Sequence, residues 1–151
     1  MIREIVKDTK ALQQSCKTVR KVRDIQDVIT DLIDTAQAYA GEENGNCVGL
    51  AANQIGYDQR VIVGQLSMRV GSGVKTGWVV MINPVIVDHS KTTYMSEEGC
   101  LSLEGTRTVK RWEKVKVMYK DTRNKMNTII VSGFQAAIVQ HEIDHLNGKL
   151  I

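Results

Sequence analysis

Residues 132–148 read Ser-Gly-Phe-Gln-Ala-Ala-Ile-Val-Gln-His-Glu-Ile-Asp-His-Leu-Asn-Gly. Phe134, Ala137, Ile138, His141 and His145 fall at i, i+3, i+4, i+7 and i+11, one stripe of a helix. Ala136, Val139, Ile143 and Leu146 add apolar surface on the other side. A helix that is apolar all round is a central, buried one. Ser132, with Gln135 three residues on, predicts a capping box at its start, and Gly148 predicts its stop. The rest of the chain is then expected to wrap around this helix.

His141 and His145 are two of the chain's 3 histidines. Four residues apart on a helix, both imidazoles stack on one face, where they can bind a single metal ion. Glu142 follows the first of them, placed to handle a proton on water at that ion. Burying two imidazoles and a carboxylate requires a partner for every polar atom, and a metal site with its water supplies those partners together. Satisfied core histidines are the plainer alternative. A hydrolytic centre needs a third protein ligand and one open position. Only Leu146 to Ile151 follow His145, so the third ligand comes from upstream. Candidates are the cysteines, His89 and several acids. Cys100, in Glu-Gly-Cys-Leu-Ser, is the best of them, because Gly99 frees the backbone beside it. Cys16 and Cys47 read as buried small hydrophobes.

Upstream, Ile25, Val28, Ile29, Leu32, Ile33, Ala36 and Ala40 form a second helical stripe over 24–40, with Asp24 as N-cap and Gly41 as stop. A polar, Gly-rich loop follows at 41–47. Short β-type runs come next: 61–63, 78–82, 85–87, 115–119 and 126–131. The run at 115–119 alternates like a strand with one wet face. Gly71-Ser72-Gly73 marks a hairpin tip, and residues 121–124 mark a turn. The expected fold is α+β: mostly antiparallel β-sheets packed around the central C-terminal helix that carries His-Glu-x-x-His, plus an N-terminal helix.

At 151 residues, the chain is expected to form one catalytic domain over 1–151. Apolar residues make up 42% and charged residues 25%, ordinary for a globular protein. No apolar run approaches the roughly 20 residues of a membrane span, and charges fill the opening Met-Ile-Arg-Glu-Ile-Val-Lys-Asp where a signal peptide needs an apolar stretch. The expected compartment is the cytoplasm. The 3 cysteines contain no Cys-x-x-Cys pair, which fits reduced thiols. Net charge is +3, with the densest basic cluster at Lys17, Arg20, Lys21 and Arg23. That cluster suits an acidic partner such as ribosomal RNA, or a solvated segment before a helix; aromatic residues for base stacking are lacking there.

Three segments, Val48-Gly49-Leu50-Ala51-Ala52-Asn53-Gln54, Glu98-Gly99-Cys100-Leu101-Ser102 and Gln140-His141-Glu142-Ile143-Asp144-His145, occur in this order. Together they resemble the signature motifs of the peptide deformylases. The resemblance implies removal of the N-formyl group from formyl-methionyl nascent chains, with release of formate. It implies a divalent ion, iron(II) by preference and otherwise zinc, nickel or cobalt, on Cys100, His141 and His145. It further implies Glu142 as catalytic acid/base, and Gln54 with the Leu101 backbone N–H as the pair that holds the formyl oxygen. Arg107 resembles a recurring arginine of structural character.

Val48, Gly49, Gly99, Phe134, Ala137 and Ile138 are expected to contact substrate, whose backbone pairs as an added strand near Gly49. The expected partners are the formylated nascent peptide and, transiently, the ribosome; no DNA or membrane contact and a monomeric state are expected. Three departures stand out. Cys47 replaces the usual first glycine of its motif. Ser96 stands where many members are apolar. The chain stops soon after the metal helix, as a short form without the C-terminal extension.

Competing readings are a metallopeptidase cutting internal bonds, against which the short tail after His145 and the thiol argue, and a structural metal domain with four protein ligands.

Overall fold

The computed structural model describes residues 1–151, with the side chains of Arg69 and Val70 outside the description. In chain order the elements are α1 (Thr9–Leu12), α2 (Gln26–Ala38), β1 (Gly49–Ala51), β2 (Val61–Val70), β3 (Gly73–His89), β4 (Thr93–Cys100), β5 (Leu103–Trp112), β6 (Lys114–Lys120), β7 (Met126–Ser132) and α3 (Gly133–Leu146). A five-stranded sheet has the order β1-β2-β3-β6-β7, and β4 pairs with β5 as a separate hairpin. Every strand pairing is antiparallel. The α+β expectation holds: sheets surround a C-terminal helix, with a helix near the N-terminus.

Strand periodicity divides the core. On β2, Val61 and Val63 face one cluster, closed by Val28, Ile29, Leu32 and Ala36 of α2. Ile62 and Leu66 face the other, built from Val115, Val117 and Tyr119 of β6 with Ala136, Val139, Ile143 and Leu146 of α3. The large sheet is thus sandwiched between α2 and α3 and is buried on both faces along β2. On β6 the alternation read from sequence appears directly: Val115, Val117 and Tyr119 are buried, while Lys114, Lys116 and Met118 are exposed.

Several boundaries differ from expectation. The first helical stripe begins as a 3₁₀ turn over Val22–Ile25, so Asp24 lies inside that turn and caps nothing; α2 ends at Ala38. The runs at 78–82 and 85–87 are one strand, β3, interrupted by irregular pairing between Ile82 and Val85. Asn83, at φ 51°, and Pro84 hide this continuity from a pattern reading. The capping box at Ser132 does not form. Gly133 takes φ 60°, and the Gln135 Oε1 accepts instead from the Ser67 N–H at 3.1 Å. Gly148, at φ 73°, does end α3.

Candidate metal centre

α3 carries the centre because nearly every side of it is buried. Gln140, His141, Glu142 and His145 are at most 7% exposed despite their polarity, so each polar atom needs an accounted partner. The Gln140 amide replaces strand pairing: Oε1 accepts from the Trp112 N–H and Nε2 donates to the Trp112 carbonyl, pinning α3 to the end of β5.

His141 Nε2 and His145 Nε2 face each other at 3.1 Å, and the Cys100 sulfur lies 3.3 Å from His145 Nε2. The three donor atoms all lie within 4.8 Å of one another. Cys100 arrives from the end of β4, where the pairing with β5 shifts register between Gly99 and Cys100. His141 Nδ1 lies 2.9 Å from a Glu98 oxygen. An ionised carboxylate only accepts, so Nδ1 carries a proton towards Glu98, and a cation that displaces the proton on Nε2 would find that nitrogen's lone pair aimed towards Cys100 and His145. Two imidazole lone pairs and a sulfur converging in a buried spot are a donor set that a divalent cation satisfies. The residues therefore fit a metal.

Glu98 is itself braced. Arg111 of β5 grips it with two hydrogen bonds, of 2.9 and 2.7 Å, and reaches Asp144 at 2.6 Å. Burial would raise the Glu98 pKa, but Arg111 and His141 hold it down at about 2. Burial would likewise lower the pKa of His141, yet the neighbouring Cys100 and Glu98 push it up to about 10. His145 is pushed down to about 3, by burial and by the charge of His141. Glu142 is raised to about 7, chiefly by burial. A carboxyl group poised there suits proton transfer near neutral pH.

Gln54 follows β1, in a 3₁₀ turn over Ala52–Ile55. It is 2% exposed. Its Oε1 accepts from the Ala51 N–H at 3.0 Å, which turns Nε2 towards Cys100 Sγ at 3.4 Å and Ser102 Oγ at 3.2 Å. Beside these groups opens a cavity of about 420 Å³. Its walls bring together Gln54, Leu101 and Glu142 with all six expected substrate contacts, Val48, Gly49, Gly99, Phe134, Ala137 and Ile138. Gly49 is required there: a Cβ would lie 2.8 Å from a Glu142 oxygen and 2.9 Å from Ile138 Cγ2. β1 is also an edge strand of its sheet, open to an added strand.

Cys47 lines the same cavity without distorting the loop, whose positive φ angles fall at Gly41, Gly45 and Asn46 and not at position 47. Ser96 is buried but does not line the cavity. Arg107 is exposed, its recorded bond a 3.5 Å contact to the Glu104 carbonyl. His89 stacks on Trp112 at 3.7 Å, outside the centre. Pattern reading missed Glu98 and Arg111. A signal existed: Glu98 and Cys100 are two apart on one strand and share a face.

A thiol, two imidazoles and a buried carboxyl group at the foot of a cleft define a metal-dependent hydrolase. The polypeptide deformylase family model matches residues 2–151. A peptide deformylase of Clostridium beijerinckii is 42% identical over 151 residues, all of both chains. Peptide deformylase 3 of Shewanella oneidensis is 40% identical over 140 residues, covering 92% of this chain and 79% of the relative. Among solved structures, a class I type b peptide deformylase of Acinetobacter baumannii, with Met-Ala-Ser bound, superposes with a TM-score of 0.83 at 32% identity, over 99% of this chain and 96% of that one. A Legionella pneumophila peptide deformylase gives 0.84 at 38% identity, over 99% and 83%. The chain belongs to the peptide deformylase family. It is a metal-dependent hydrolase that removes the N-formyl group from nascent peptides.

Proposed function

We propose that Cys100, His141 and His145 hold one divalent ion, iron(II) by preference over zinc, nickel or cobalt, and that Glu142, Gln54 and Leu101 perform the deformylation. The observation that carries this reading is the convergence of the three donor atoms within 4.8 Å, at a cavity that Glu142 and Gln54 also line. When bound, such an ion lowers the pKa of water from 15.7 towards about 7 and polarises a carbonyl oxygen.

Glu142 takes a proton from the water that attacks the formyl carbon. Gln54 Nε2 and the Leu101 N–H donate to the formyl oxygen as negative charge grows there. As the C–N bond breaks, Glu142 returns the proton to the leaving nitrogen, giving formate and a free amine. Val48, Gly49 and Gly99 flank the substrate backbone, while Phe134, Ala137 and Ile138 offer apolar contact to the methionine side chain. Gly49 keeps β1 close against Glu142, which aligns the scissile bond with its base.

Residues 1–151 act as one catalytic domain, monomeric and cytoplasmic, on chains emerging from the ribosome. The exposed cluster of Lys17, Arg20, Lys21 and Arg23 supports a transient contact with acidic ribosomal RNA. No helix is long and apolar enough to cross a membrane.

Formate release from formyl-Met-Ala, measured beside casein cleavage on anaerobically purified, metal-analysed protein, tests the reading. The wild type should release formate and leave casein intact. Glu142→Ala should keep its metal and lose roughly 10²–10⁴ in rate. Wild-type rates in that variant would remove Glu142 from the mechanism.

A further inference from the structure

Besides Glu142 Oε2, on a residue that lines the cavity, two buried polar atoms beside the metal centre find no hydrogen-bond partner among the described residues: His145 Nδ1 and Asn53 Oδ1. They belong to residues that already touch, for Asn53 Nδ2 donates to the His145 carbonyl at 2.7 Å, across 92 positions of sequence. Asn53 is 9% exposed and His145 1%. Neither side chain can turn to bulk solvent.

The protonation state required of His145 makes this pairing matter. Its Nε2 is the atom that faces His141 Nε2 and Cys100. To ligate a cation, Nε2 must present its lone pair, so the single proton of the neutral ring sits on Nδ1. A ligating histidine gives that proton to an acceptor, which fixes tautomer and ring orientation. His141 has Glu98 for this purpose. His145 Nδ1 has no such partner, and Asn53, whose amide already reaches the carbonyl of the same residue, carries an unpaired acceptor.

We infer that Asn53 is a positioning residue for the metal: its carboxamide donates to the His145 carbonyl and, through Oδ1, accepts the Nδ1–H of the same histidine. A rotation of ring or amide would close that second bond, or one buried water would bridge it, since a water with several polar partners is well held in such a site. Asn53 thereby grips His145 at backbone and ring together. The next residue, Gln54, reaches Cys100. One short turn would then hold two of the three ligands in register, although they lie 45 positions apart. The inference rests on the Cys100–His141–His145 reading of the site.

The test is cobalt(II) titration of metal-free protein, with the thiolate-to-cobalt absorption band as readout and a competing chelator to set affinity. Asn53→Leu removes donor and acceptor. Asn53→Asp removes the donor but keeps an acceptor for the imidazole. The wild type should bind one equivalent. Asn53→Leu should bind about 10–100-fold more weakly, and Asn53→Asp should recover most of that loss. If Leu and Asp variants weaken binding alike, Asn53 acts only as a backbone tie and the ring contact is refuted. Equal affinity in all three proteins also overturns the inference. Should the wild type bind no cobalt, the metal reading itself fails, a distinct outcome. A second measurement spares the variants: in zinc-loaded wild type labelled with ¹⁵N-histidine, the His145 Nδ1–H should resist solvent exchange as the His141 Nδ1–H does. Rapid exchange at His145 alone would refute the contact.

Discussion

His141 and His145 stand one helical turn apart on α3, yet their supports come from different elements and differ in kind. His141 leans on the β4–β5 hairpin, where Glu98 and Arg111 form a buried ion pair that Arg111 extends to the half-buried Asp144 of α3. His145 leans on the turn after β1, where Asn53 supplies a neutral carboxamide, and the amide of the next residue, Gln54, reaches Cys100. The difference has an electrostatic logic. A second buried carboxylate against His145 would add negative charge beside Glu142, whose pKa burial has already raised to about 7. Further negative charge would raise it more and spoil its use as a base near neutrality. Neutral amides orient ligands and leave the charge of the centre alone.

The largest expected effect falls on the charged side. Arg111→Met leaves Glu98 and Asp144 without their counter-ion while Glu98 stays buried. Breaking one partner of a buried pair costs about 3–5 kcal/mol. Denaturant melts of metal-free protein should show a loss of this size; a cost below about 1 kcal/mol, as for a surface pair, would mean that the network adds nothing to folding. On the neutral side, Gln54→Ala leaves the buried Ala51 N–H unpaired, so it should cost about 1–3 kcal/mol in the melt, less than Arg111→Met, and lower kcat/KM for formyl-Met-Ala by roughly 10²–10³, the usual cost of one oxyanion donor. A large stability loss with normal turnover would reverse the assignment and make Gln54 structural.

The two sides were also unequally legible in the sequence. α3 announced itself by its stripe, by two histidines on one face and by Gly148 at its end. The neutral side sits in a motif whose resemblance to the family names Gln54, and whose apolar Leu50, Ala51 and Ala52 mark a buried strand end. The charged side could not be named from pattern. β4 and β5 turn through Leu101-Ser102, which lacks the Asn-Gly or Asp-Gly pair that signals a two-residue hairpin. Most of β5 is exposed, so no alternation showed its inward face. Arg111 lies 13 residues from Glu98, and only the hairpin brings them together. The capping box at Ser132 failed for a local reason: Gly133 adopts φ 60°, outside helical space, and Gln135 turns to β2.

Acid should separate the two sides further. The folded pKa of Glu98 is about 2, against an ordinary value of 4.5. A depressed carboxylate contributes stability that is complete above the ordinary value and is lost as pH falls towards the folded one. Metal-free protein should therefore lose on the order of 3 kcal/mol between those two values. Glu98→Gln should flatten that stretch of the stability–pH curve. Carboxamides do not titrate, so Asn53→Leu should leave its slope unchanged. An unaltered slope in Glu98→Gln would place the acid sensitivity elsewhere.

The smallest effect belongs to Cys47, and it decides whether Cys100 is the only sulfur of the centre. Cys47 is 5% exposed, its sulfur lies 3.2 Å from the Gly49 carbonyl, and burial pushes the thiol pKa up to about 12. A thiol so reluctant to ionise is a poor metal ligand, because ligation needs the thiolate. The positive φ angles in this loop belong to Gly41, Gly45 and Asn46, so a glycine at 47 gains no conformational relief. Cys47→Gly instead loosens the unfolded chain by about 0.5–1 kcal/mol and removes a small buried group. A total loss near 1–2 kcal/mol follows, read from the shift in denaturation midpoint. Cobalt uptake should remain one equivalent, with its sulfur band intact. If the band weakens in Cys47→Gly and survives in Cys100→Ser, the ligand sulfur is Cys47, and the hairpin side gives up its place at the centre.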